Sequence, residues 1–229
     1  MNAKVNRDLL TQTSWDSGLL TPLASVLHPF QGPGKYQGIL LHGTETVGLF
    51  DLVVDEKSSE AQVNIDLEAV YQRRYVQIGG GKPFVVNPRQ PTAFYVARGR
   101  GGYSVVVYRL EAERRATEFD SRELRAGDVF TLTPVRHGTY SVTNNDAAKG
   151  EFLVQKRKGR SIPTEPIIIE CVERGFKPDK VGTEFSQPLF FVIRTPSRIK
   201  VQLEKQPDDE PGHARRPSIR RKKDAAQRS

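Results

Sequence analysis

LRAGDVFTLTPVRHGTYSVTNNDAAKGEFLVQ, residues 124–155, reads as two strands of alternating apolar and polar residues, a tight return between them, and a third strand reached through Asn145 to Gly150. A two-residue period is what a strand with one buried and one solvated face requires, because successive side chains point to opposite sides of a sheet. The stretch therefore sets the fold class as all-β and antiparallel, and it carries no reacting group.

The same period extends outward. In VNIDLEAV, Val63, Ile65 and Leu67 face one way while Asn64, Asp66 and Glu68 face the other. Four hairpins follow from the short turn-rich gaps. GLFDLVVD pairs with EAQVNIDLEAV across Glu56 to Ser59, and AFYVA pairs with YSVVVYRL across Arg98 to Gly102, where glycines permit positive φ. DVFTLT pairs with TYSVTN across Pro134 to Gly138, and LFFVIR with RIKVQLE across Thr195 to Ser197. Helical spacing is confined to Asn6 to Gln12.

The chain has 229 residues and a formal charge of +8. Lys205 to Ser229 holds eight Lys or Arg against four Asp or Glu, so half of the excess sits in this last segment. The segment has almost no apolar residues, cannot offset its ordering entropy by burial, and is expected to be a disordered basic tail. KRKGR, Lys156 to Arg160, reads as a linker. The resulting division is an N-terminal arm over 1–35, a main β unit over 36–158, a second strand group over 165–204 that is its own subdomain or completes the first, and the tail over 205–229.

Cys171 is the only cysteine, which excludes an intramolecular disulfide and any metal site needing two thiolates. The apolar run Leu19 to Phe30 is broken by Pro22, His28 and Pro29, so a signal peptide is not expected, and no window reaches the length of a membrane span. A reduced, cytoplasmic compartment is the expectation.

AGDVFTLTP, then GTYSVTN, then KGEFLV resembles the end of a cupredoxin domain, and GFKPDKVGTEFSQPLFFVI, Gly175 to Ile193, is similar to the family's opening strands. Immunoglobulin-like sandwiches share the same phrases. The resemblance implies one or two antiparallel β-sandwiches of cupredoxin-like or immunoglobulin-like type, with inner faces supplied by the alternating residues. It does not imply copper: Asn144 stands where the family's cysteine falls, no His or Met lies in Asn145 to Gly150, and Met1 is the only methionine. The order Gly127, Asp128, Pro134, His137, Asn144 also resembles the later motif of cupins, but NPRQPTAFYV lacks the His-x-His and Glu of the earlier motif, so this resemblance implies a metal-free barrel.

No metal site, cofactor or catalytic residue is expected. His28, His42, His137 and His213 lack metal spacing, each beside a Pro or Gly, and read as surface or turn residues. IGGGKPF, Ile78 to Phe84, has Pro83 where a phosphate-binding loop needs a hydroxyl, and reads as a loop between strands. RGRGG reads as a hairpin tip whose Arg98 and Arg100 face solvent and suit an anion; Arg136 and His137 occupy a second tip. Asp66 and Glu68 read as a solvated strand face rather than an acid–base pair. The leading expectation is a non-enzymatic binding or assembly protein acting through these tips, with the tail attracting an acidic partner, a protein or an acidic polymer. Two alternatives stand beside it. One is a polyanion or nucleic-acid binder using Lys156, Arg157, Lys158 and Arg160 with Arg215, Arg216, Arg220, Arg221, Lys222 and Lys223 of the tail. The other is a metal-dependent cupin-type enzyme, which would need His137 to converge with Cys171 or His42.

Overall fold

The computed structural model describes residues 7–73, 82–111, 114–156 and 164–206. A short 3-10 helix, Arg7–Thr11, stands where the sequence predicts helical turns. Seventeen strands and one helix follow. The first strands are β1 (Ser14–Asp16), β2 (Ala24–Pro29), β3 (Gly34–His42), β4 (Glu45–Val54) and β5 (Val63–Asp66), then the helix α1 (Leu67–Arg73). Next come β6 (Phe84–Val86), β7 (Pro91–Tyr95), β8 (Tyr103–Leu110), β9 (Arg115–Asp120) and β10 (Val129–Leu132). The series ends with β11 (Gly138–Asn144), β12 (Ala148–Gln155), β13 (Ile167–Val172), β14 (Gly175–Lys177), β15 (Lys180–Glu184), β16 (Leu189–Ile193) and β17 (Ile199–Lys205).

With 57% strand and 6% helix the protein is all-β, but the strands are wound as a β-solenoid of about four turns and not as an antiparallel sandwich. The cupredoxin-like and immunoglobulin-like expectation is thereby overturned. The physical reason lies at the turns. Each of the four expected hairpins joins a strand of the seven-stranded middle sheet to a strand of a flanking sheet: β4 to β5, β7 to β8, β10 to β11 and β16 to β17 are corners between sheets, not pairs within one. A chain that keeps changing sheets returns beside an earlier strand in the same direction, which gives the parallel pairs β4–β6, β5–β7, β12–β15 and β13–β16. The return through Asn145 does form a hairpin, with β11 and β12 in register from Gly138↔Val154 to Asn144↔Ala148. VNIDLEAV does not stay a strand: Asp66 Oδ1 accepts from the Glu68 N–H at 3.1 Å and starts α1.

The sheets repeat. One flanking sheet has the order β6-β4-β3-β8-β9, the other β15-β12-β11-β17-β1, and the middle sheet runs β14-β13-β16-β10-β2-β7-β5. Reading outward from the β2–β10 pair, every strand between β2 and β9 meets a counterpart with the same neighbours. Side chains follow suit. Buried Tyr36 donates its hydroxyl to the Gly32 carbonyl at 2.7 Å, and buried Tyr140 donates to the Arg136 carbonyl at 3.0 Å, each spanning four residues back along the chain. Each follows a glycine with positive φ, Gly34 at 154° and Gly138 at 142°. A Cβ on Gly138 would run into the Lys205 carbonyl oxygen, so no other residue fits that corner. Ile65 faces Phe94 across a parallel pair in one half and Ile169 faces Phe191 in the other, all within one hydrophobic core. Val26 and Phe130, paired across the β2–β10 contact, are fully buried at the centre of this repeat.

Candidate functional site

Strand directions place the expected binding residues at one end of the middle sheet. β7 and β10 both run antiparallel to β2, which lies between them, so both end where β2 begins. β5, parallel to β7, also ends there, while β16 and β13 start there. The loops carrying Arg98 and Arg100, after β7, and Arg136 and His137, after β10, therefore leave the same end. Backbone hydrogen bonds tie them to one segment: Gly102 N–H donates to the Leu20 carbonyl at 2.8 Å, and Thr133 N–H to the Leu23 carbonyl at 2.9 Å. A Cβ on Gly101 would lie 2.7 Å from the Leu20 carbonyl oxygen, so the first loop packs tightly on that segment.

The ladder continues toward the basic segments. Ser186 N–H donates to the Pro134 carbonyl at 3.0 Å and Phe185 N–H to the Gln155 carbonyl at 3.0 Å. β12 ends beside Gly138 and β17 ends with Lys205 opposite Thr139. Lys156 and Gln206, where residues 157–163 and 207–229 join the described chain, consequently flank the Arg136 loop. Arg157, Lys158, Arg160, Arg215, Arg216, Arg220, Arg221, Lys222, Lys223 and His213 lie outside the described residues, as does the glycine run before Lys82.

At the first loop, Arg98 Nη2 donates to Gln72 Oε1 at 3.2 Å, Gln72 Nε2 donates to Glu68 Oε1 at 3.0 Å, and the Tyr103 hydroxyl donates to Glu68 Oε2 at 2.8 Å. Burial, and then the hydrogen bond to Glu68, push the Tyr103 phenol well above its ordinary value, so it stays a donor. Asp66 Oδ1 also accepts from the Ala97 N–H at 3.2 Å. Asp66 and Glu68 are thus anchors of α1 and of the loop, not a solvated strand face. Arg100 is exposed. At the second loop the His137 ring stacks on Phe185 at 5.5 Å between centroids. Among the described residues, no hydrogen bond or ion pair joins the Arg98 loop to the Arg136 loop; they share a sheet end, not a cluster.

A groove of about 580 Å³ lies on the solvent face of the middle sheet and reaches this end at Leu23, Val96 and Thr133. Sequence reading missed it, because its residues come from β2, β5, β7, β10 and β16 and only the register brings them together. Phe190, Thr131, Ser25 and Tyr95 form one row across four strands. The Ser25 and Thr131 hydroxyls are hydrogen-bonded at 2.7 Å. No charged side chain, imidazole or thiol lines the groove, so its Ser25, Thr131, Thr133 and Tyr95 hydroxyls have no carboxylate or imidazole base beside them within it.

The His28–Asp128 pair and the Cys171 thiol lie in the interior. His28, expected at the surface, has a side chain only 12% exposed, and its Nδ1 lies 2.7 Å from Asp128 Oδ1. Asp128 Oδ2 accepts from the Arg125 N–H at 2.7 Å. Burial pushes the Cys171 thiol up to about 12, which leaves it protonated and unreactive at neutral pH. No group of three or more His, Cys, Asp or Glu among the described residues is placed to hold a metal ion. No described helix is long and apolar enough to cross a membrane. No family model, curated protein or solved structure matches the chain.

Proposed function

We propose that the chain is a non-enzymatic binding or assembly protein that engages an acidic partner through the loops at one end of its middle sheet. What supports this reading is a single arrangement: Arg98, Arg100, Arg136 and His137 leave one end of the middle sheet, and Lys156 and Gln206, where the basic segments attach, stand in the flanking sheet beside the start of β11, next to the Arg136 loop. Basic segments attached next to a basic rim raise the encounter rate with an acidic surface, and the rim then fixes the register. A cytoplasmic location goes with this reading, since the chain's one cysteine is a free, buried thiol.

A polyanion such as nucleic acid is the second reading, favoured by the attachment of both basic runs beside Gly138. Deleting Gly212 to Ser229 would then flatten the salt dependence of binding. The two readings separate in an affinity capture with full-length protein and with a chain ending at Glu204, each with and without nuclease and read by mass spectrometry. The proposal expects a protein partner that survives nuclease and is held less strongly by the shorter chain. Loss of everything captured on nuclease treatment would overturn it in favour of the polyanion.

A further inference from the structure

We propose that the groove on the middle sheet binds a neutral saccharide. The reading is independent of the acidic partner proposed above and rests on the groove's own composition. Small residues, Ala93 and Ser25, lie on the sheet between larger neighbours and form the floor of the concavity, with Leu23, Gln62, Val96 and Thr133 from the adjoining connections at its rim. Its floor row places Phe190 and Tyr95 on either side of the Thr131 and Ser25 hydroxyls. With strands about 4.8 Å apart, the two aromatic positions stand roughly 14 Å from each other. Gln62 and Asn64 add two carboxamides along one wall, and Thr133 a further hydroxyl at the mouth.

Ligand class follows from what such a surface can satisfy. A phosphate or carboxylate would meet no opposite charge in the groove, although the chain is 27% charged overall. A purely apolar ligand would displace water from hydroxyls and carboxamides without replacing its hydrogen bonds, which costs affinity. A sugar presents apolar C–H faces to aromatic rings and hydroxyls to neutral donors and acceptors, so it matches both halves of the lining. The volume of about 580 Å³ lies within the usual range of small-ligand sites and suits a short oligosaccharide.

The test is calorimetric titration of the full chain with neutral gluco-, xylo- and manno-oligosaccharides, beside laurate and a heparin-derived oligosaccharide as apolar and anionic probes. At least one neutral member should saturate the protein. Tyr95→Ala and Phe190→Ala should each weaken it about fivefold or more, with unfolding midpoints near the parent's because both side chains are partly exposed. The chain ending at Glu204 should bind the saccharide as the full chain does, which separates this result from the fate of the acidic-partner reading. Absence of saturable binding by every neutral probe, tighter binding of laurate or the heparin fragment, or full affinity in both alanine variants would each overturn the proposal.

Discussion

The half running from β2 to β9 and the half running from β10 to β17 and back to β1 are built on the same pairings, yet they differ wherever the chain leaves the sheets. Tyr36 and Tyr140 close the same corner, and Ile65–Phe94 matches Ile169–Phe191. By contrast, the connection after β4 carries Asp55, Glu56 and Glu60 against Lys57, whereas the equivalent connection after β12 carries Lys156, Arg157, Lys158 and Arg160 against Glu165. α1 occupies the first half where β14 lies in the second. The frame is held by buried apolar pairs that permit little variation, while the loops and surface faces are free to specialise. The charge difference between these connections is a property of the loops, not of the frame.

The sharpest way to break the comparison is in the core. Phe94→Ala and Phe191→Ala each open a cavity at equivalent sites and should cost about 3–5 kcal/mol, read by urea unfolding as one cooperative transition in both variants. A second transition, or a large loss in only one of them, would mean the halves are not equivalent parts of one core.

A smaller but more discriminating effect is expected at the β2–β10 contact. His28 and Asp128 stand at one end of it, and the matching positions at the other end are Leu132 and Ala24. Asp128→Ala alone strips partners from His28 Nδ1 and the Arg125 N–H and should cost about 2–4 kcal/mol. His28→Leu with Asp128→Ala copies the apolar end and should recover the part of that loss due to the unpaired imidazole, while the Arg125 N–H stays without its acceptor. A double variant no more stable than the single would show that the polar pair does more than fill the contact.

Tyr36→Phe and Tyr140→Phe each delete one hydroxyl-to-carbonyl bond and should cost about 1 kcal/mol apiece at neutral pH. Burial raises the Tyr140 phenol from 10.0 to about 12. A group whose folded pKa lies above its unfolded value stabilises fully below the unfolded value and loses that contribution as pH rises through the folded one. Stability should therefore fall between pH 10 and about 12, and Tyr140→Phe should flatten that fall when unfolding midpoints are followed against pH. A parallel decline in the variant would assign the alkaline loss to other groups.

Much of the strand inventory was legible in the sequence, and most of its pairing was not. Alternation reveals which side chains share a face, as with Tyr140, Val142, Phe152 and Val154, but not which strand lies alongside. A short turn-rich gap serves equally as a hairpin loop or as a corner between sheets. Pro134 is buried and its carbonyl accepts from Ser186, so the gap that reads as a hairpin tip is a packed corner. The Asn145–Asp146 return was readable because both residues take positive φ, 52° and 59°, which Asn and Asp tolerate in a tight hairpin. The structural repeat leaves almost no trace in the sequence beyond Gly-Lys-Tyr at 34–36 and Gly-Thr-Tyr at 138–140. Arg98, Arg100, Arg136 and His137 were legible one loop at a time; their sharing of a single sheet end depends on strand directions that local pattern does not encode. His28 was misjudged because neighbouring Pro29 suggests a turn, whereas its partner Asp128 lies 100 residues away.

The central claim is that this sheet end is the binding surface. The measurement that tests it most directly compares full-length protein with the variant Arg98→Ala, Arg100→Ala, Arg136→Ala, His137→Ala in nuclease-treated capture at low and moderate salt, with unfolding midpoints taken on the same samples. The account predicts that the variant keeps the parent's stability to within about 0.5 kcal/mol and loses about tenfold or more of its partner retention, most visibly at low salt. Undiminished retention by a folded variant would contradict it.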